Sequence, residues 1–231
     1  MSAASPFSVV EPWDLVAEGY AAEADAVMAP FSLRAAKLAK LDAHAHVVDV
    51  AAGPGTLALQ LAARVASVTA VDFSAEMNAR LQAQAERCGY SNVRVVQADG
   101  QALPLPDASF DAGFSMFGAL RAADETFVTP TYNPDSLENP ERLASELRAG
   151  GFLEVSVQEH TAGLAFDDVD TLWSRMTRSS APLVSLRKRL GEPLWRERSE
   201  LARAYLAREL GGGPLALSTT AWLGHGVRPQ L

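Results

Sequence analysis

Val47-Val48-Asp49-Val50-Ala51-Ala52-Gly53-Pro54-Gly55 runs a short β-branched apolar stretch straight into a Gly-Pro-Gly turn, and the amphipathic segment Thr56 to Arg64 follows at once. The pattern predicts a buried strand, a tight turn and a helix. Glycine carries no Cβ, so a ligand can lie against bare backbone at such a turn, while the N–H groups of the helix start face the space above the strand. Ser67 to Val71 is a second apolar strand, and it ends in Asp72, seventeen positions after Gly55. An acid at that strand tip can accept from both hydroxyls of a ribose. Two neighbouring strands are therefore expected to hold one nucleoside.

The chain around this unit has 231 residues, enough for one sizeable core and short for two, so a single domain over 1–231 is expected. Its formal charge of −8 argues against a non-specific grip on nucleic acid or an anionic membrane surface, either of which needs a basic face. A small-molecule partner fits better. Cys88 is the sole cysteine, which excludes an intrachain disulfide and suits a reducing, cytoplasmic compartment. No long apolar span and no basic-then-apolar N-terminus occur, so neither membrane insertion nor secretion is expected.

Gly53-Pro54-Gly55-Thr56-Leu57-Ala58 fits the dinucleotide pattern G-x-G-x-x-G/A. With Asp49 included, the stretch reads D-x-A-A-G-P-G and resembles motif I of class I S-adenosylmethionine-dependent methyltransferases, the small-molecule branch that includes the quinone-biosynthesis C-methyltransferases. The resemblance implies an α/β, Rossmann-like, mostly parallel sheet with helices on both faces, a helical lid over 1–45, a cofactor-binding core over 46–123 and an acceptor half over 124–231. It implies S-adenosyl-L-methionine as cofactor, with Asp49, Ala51, Gly53 and Gly55 around its amino-acid end and Asp72 on its ribose. Phe73 and Met77, after Asp72, would wall the adenine; ordinary core packing is the competing reading for both.

Asn92 to Gln97 is the third predicted strand, and Ala98-Asp99-Gly100 resembles the family's A-D-G/A step, which implies a carboxylate on the adenine amine and a glycine leaving room for the ring. Leu103 to Asp111 resembles the family's L-P-F-x-D-x-S-F-D loop into a fourth strand, Asp111 to Met116. Ser115 and Met116 would close the cofactor site there, with the acceptor beyond Phe117 and Gly118. The Asn/Asp-Pro-Pro-Tyr/Phe set of amino-methylating nucleic-acid enzymes is absent from that strand end, and Tyr132-Asn133-Pro134 is only a fragment of it. No thiol set or acidic metal cluster can be assembled for other acceptor chemistries.

The N-terminal segment reads as helix from Trp13 to Met28, interrupted by Pro30 and resuming from Ser32 to Leu41. Trp13 and Tyr20 match the family's W-x-x-x-x-x-x-Y lid, which makes Tyr20 a candidate contact to the methionine end; the alternative is that both rings simply pack the helix onto the body. His44 and His46 lack a third ligand and read as surface residues. After Gly118 only two strands are evident, Phe152 to Glu159 and Leu215 to Leu223, where the family supplies three, so one helix-strand unit is expected to be missing near Ala119 to Asp124. Asp168 to Leu190 and Glu192 to Leu210 read as helices of a cover over 166–210. Trp173 and Trp195 there are either acceptor-pocket walls or core, Arg187 to Arg189 a solvated face, and His160 and His225 strand-end candidates for a base. Two rival functions remain: a non-catalytic binder, prompted by the missing unit, and a nicotinamide dehydrogenase, disfavoured because no Tyr-x-x-x-Lys occurs.

Overall fold

The computed structural model describes residues 9–116 and 139–229. The strands β1 (His46–Val50), β2 (Ser67–Asp72), β3 (Val93–Gln97) and β4 (Ala112–Phe114) form one parallel sheet in the order β3-β2-β1-β4. β1 is inner, pairing with β2 in the register Asp49↔Ala70 and with β4 in the register Asp49↔Phe114. Between the strands run α2 (Thr56–Ala62) and α3 (Ala75–Arg87). Leu57, Ala58, Leu61 and Ala62 of α2 bury against Val47, Val68, Ala70 and Leu81, which joins helix and sheet in one core. The period-two apolar runs and the α2 stripe thus end where their spacing puts them.

The N-terminal segment departs from the expected break. α1 runs unbroken from Glu11 to Ala39 with Pro30 inside it. An internal proline costs about 3 kcal/mol through its missing N–H and its ring. Apolar burial on both sides of it outweighs that: Trp13, Val16 and Ala17 pack with Met77 and Ala181, and Phe31 is also buried. At its upper half α1 docks on the third helix: the Ser74 hydroxyl, which caps α3 by accepting from the Met77 N–H at 3.1 Å, donates to Asp14 Oδ1 at 2.5 Å.

The second half of the chain differs from expectation in its strands. After α4 (Pro140–Ala149), β5 (Leu153–Phe166) and β6 (Leu215–Val227) pair antiparallel along nearly their full length, and they form a separate two-stranded ribbon. Both outrun the predicted ends at Glu159 and Leu223, so His160 and His225 lie inside strands, not after them. β4 is shorter than predicted. Among the described residues no strand stands between β4 and β5, and the parallel sheet ends at β4; Phe117, Gly118, Ala119 to Asp124 and Tyr132 to Pro134 lie outside the described residues. The cover over Asp168 to Leu190 is two helices, α5 (Val169–Ser179) and α6 (Ala181–Leu190), parted at Ser180 in extended geometry. Pro182 is the cause: it cannot donate to the preceding turn, so the helix restarts around it. α7 (Glu192–Leu210) completes the cover. α1 links the two sheets, because Phe31 meets His160 edge to face at 5.3 Å and Arg34 donates to Gln158 at 2.8 Å.

Candidate functional site

The Gly-Pro-Gly turn lies at the carboxyl end of β1, and its backbone explains its composition. Gly53 and Gly55 have φ of +56° and +98°, and a Cβ on Gly55 would stand 2.8 Å from Leu81 Cγ, so only glycine fits there. Ala51 also sits at φ +58°, a left-handed conformation that costs a non-glycine residue about 1 kcal/mol or more. Asp72 holds the turn to β2. Its Oδ2 accepts from the Gly53 N–H at 2.8 Å and its Oδ1 from the Ser74 N–H at 2.9 Å, so one carboxylate ties the turn to the start of α3. Burial raises the Asp72 pKa above its ordinary value, opposed by the N–H groups of Ser74, Gly53 and Phe73, while the nearby Asp14 adds to the rise.

Asp49 is the more unusual acid. It is 1% exposed, and burial, reinforced by the charge of Asp72 and opposed by a hydrogen bond from the Ala58 N–H, pushes its pKa up to about 7. Its Oδ2 has no hydrogen-bond partner. The same holds for the hydroxyl of Ser32, on α1, which is also 1% exposed. Both residues line one hollow with Tyr20 and Met28 of α1, Ala51, Gly53 and Thr56 of the turn, and Met116 beyond β4. The hollow measures about 40 Å³, room for a few water molecules, whereas pockets for nucleoside-sized ligands run to about 300 Å³ or more.

The other predicted residues distribute unevenly around this point. Tyr20 approaches Gly53, with its Cε1 4.0 Å from where a Cβ would be, and it meets Trp13 edge to face at 6.3 Å. Met77 is fully buried and Phe73 half-buried in the cluster with Trp13, Val16 and Ala17, so α1 lies over both. Asp99 is exposed, and its Oδ1 accepts from the Gln101 N–H at 2.9 Å; Gly100 packs on Val50, Ser115 is exposed and Met116 half-buried. Trp173 and Trp195 stack at 6.2 Å, and Trp173 donates to Ser199, so they pack α5 on α7. His46 bonds Ser67, as a surface residue should. The sequence reading missed Ser32, Met28, Pro54, Thr56 and Leu57 as lining residues; the only signal was a lone polar residue, Ser32, beside Phe31 in a helix interior.

A larger hollow of about 440 Å³ lies between α1 and α5, lined by Glu23, Asp168, Asp170, Thr171, Ser174, Arg175 and Arg178. Glu23 pairs there with Arg175 at 3.3 Å and Arg178 at 2.6 Å, Asp170 pairs with Arg203 from outside the lining, and Asp168 accepts from the Thr171 N–H at 2.7 Å. None of the larger hollow's lining side chains is a buried polar group left without a partner, whereas the small hollow carries two, Asp49 Oδ2 and the Ser32 hydroxyl. The small hollow is the candidate site. No group of three or more His, Cys, Asp or Glu among the described residues is placed to hold a metal ion, and no helix among them is long and apolar enough to cross a membrane.

Residues 47–130 match the profile of a methyltransferase domain family. An uncharacterized protein of Mycobacterium tuberculosis is 36% identical over 105 residues, 46% of this chain and 38% of its own. The demethylmenaquinone methyltransferase of Thermus thermophilus is 42% identical over 93 residues, 39% of this chain and 42% of its own. The chain thus spans about two-fifths of the length of the curated relatives it matches. The crystal structure of the YcgJ protein from Bacillus subtilis superposes with a TM-score of 0.50 at 18% identity, covering 87% of this chain and all of that one.

Proposed function

We propose that this chain, which has the class I S-adenosylmethionine-dependent methyltransferase fold and shares homology with quinone-type C-methyltransferases, transfers a methyl group from S-adenosylmethionine to a small-molecule acceptor. One observation carries the reading: the unpartnered Oδ2 of buried Asp49 opens on a hollow roofed by the glycine turn. An orphaned buried carboxyl suits an ammonium, and a turn that excludes any Cβ suits a ligand lying along backbone.

On this reading S-adenosylmethionine supplies the electrophile, a methyl on a positively charged sulfur, and the protein's part is alignment and exclusion of water. Asp49 takes the ammonium of the amino-acid end, with Ala51 and the backbone of Gly53 and Gly55 alongside. Both Asp72 oxygens already accept from backbone N–H groups, and a carboxylate oxygen can accept more than one hydrogen bond, which leaves capacity for a ribose hydroxyl. Phe73 and Met77 flank the adenine, Asp99 accepts from its amine beside Gly100, and Ser115 and Met116 close the end nearest the acceptor. Tyr20, carried by α1, covers the methyl donor. A net charge of −8 favours a small acceptor over nucleic acid, and cytoplasmic placement is part of the same proposal.

A second reading is favoured by the parallel sheet ending at β4 among the described residues: the cofactor half binds while the acceptor half does not turn over. Calorimetry with S-adenosylmethionine, followed by transfer of tritiated methyl to a metabolite extract, decides. Binding with transfer supports catalysis, binding alone supports the second reading, and no binding at millimolar ligand removes both.

A further inference from the structure

Ser32 is a buried polar residue that the methyltransferase reading does not use. Its hydroxyl is sealed from solvent and makes no hydrogen bond, and it shares the small hollow with the equally unpartnered Asp49 Oδ2. A serine in a helix interior commonly bonds the carbonyl one turn back; this one does not. An unmet buried hydroxyl is costly, and two unmet atoms of different chemistry in one hollow make a pattern. A buried carboxylate can only accept, while a hydroxyl can donate. An α-amino acid head group offers the matching pair, an ammonium and a carboxylate. Asp49 alone would repel that carboxylate, so a donor close by is what the head group lacks.

We propose that Ser32 donates to the α-carboxylate of the cofactor's amino-acid end while Asp49 receives its ammonium, so that the ligand is gripped from both the lid helix and the sheet. The proposal rests on the function proposed above. The two residues sit on different elements, Asp49 on β1 and Ser32 on α1. The head group therefore latches α1 to the sheet, and a ligand lacking it has no such effect.

The test compares S-adenosylhomocysteine with 5′-methylthioadenosine, which keeps the nucleoside and sulfur but has no amino-acid end. Calorimetry on Ser32→Ala should show roughly ten- to hundredfold weaker S-adenosylhomocysteine binding, the worth of one hydrogen bond to a charged group, with 5′-methylthioadenosine unchanged. Ser32→Thr, which keeps a hydroxyl, should recover most of the loss. Hydrogen exchange should report protection of α1 by S-adenosylhomocysteine in the wild type, and none in Ser32→Ala. Equal weakening of both ligands, or of neither, overturns the Ser32 assignment while leaving the methyltransferase reading intact. If the wild type binds neither ligand, both readings fall.

Discussion

Asp49 makes stability depend on pH in a direction opposite to that of most surface carboxylates. Its pKa is about 7 folded against an ordinary 3.8, so between those values the folded protein holds a proton that the unfolded chain releases. That contribution is complete below pH 3.8 and is lost as pH rises through 7; the raised Asp72 acts in the same sense. Asp49→Asn, which fixes the neutral form, should therefore gain stability relative to wild type on going from pH 5 to pH 8, by on the order of 1–3 kcal/mol, measured by urea unfolding at each pH. A constant difference across that range would mean that Asp49 is ionised when folded. If an ammonium pairs with it, binding at pH 6 should release up to about one proton, read as a dependence of calorimetric heat on buffer ionisation enthalpy. Asp72→Ala removes the carboxylate acceptor of the Gly53 and Ser74 backbone N–H groups as well as the ribose partner, so it should weaken S-adenosylmethionine binding by ~1–3 kcal/mol and lower thermal stability together. An affinity change without a stability change would contradict the clamp.

At the scale of elements, α1 is the part whose sequence misleads. Its fit to α5 depends on Gly19, where a Cβ would lie 2.1 Å from the Arg178 carbonyl oxygen. Backbone cannot yield as a side-chain tip can, so Gly19→Ala should part the two helices and cost about 1–3 kcal/mol or more, seen as a lower urea midpoint; an unchanged midpoint would mean that the close approach is not real. The β1-turn-α2-β2 unit was legible because everything it needs is local: β-branched runs, glycines whose positive φ is obligatory, and an acid at a strand tip. α1 was not, because Pro30 signals a break and only apolar burial beyond it, at Phe31, overrides that signal. Pro182 carried the converse information, a true break inside one apparent helix. The binding role argued for Ser32 was illegible for the same reason as the continuity of α1: nothing in residues 28–36 says which serine face meets β1.

Across the whole molecule, two separate sheets share one helix. Trp13, Val16 and Ala17 lie at one end of α1, and Phe31 and Arg34 hold the ribbon at the other. The antiparallel pairing of β5 with β6 could be expected only in part from two apolar runs, because register and length arise between strands far apart in the chain, not within either. Phe31→Ala, at a site 1% exposed, should destabilise by about 3–5 kcal/mol and split a single calorimetric transition into two, since it removes the ring contact to His160 while changing no residue of either sheet. One cooperative transition with only a lower midpoint would mean that the ribbon is anchored elsewhere.

The tightness of the hollow beneath α1 carries a kinetic consequence. A space of about 40 Å³ holds only a few waters, so the amino-acid end proposed to lie there is expected to enter only as α1 shifts, with that shift rather than diffusion setting the pace. In stopped-flow mixing the observed rate should climb with ligand concentration and then level off at the opening rate.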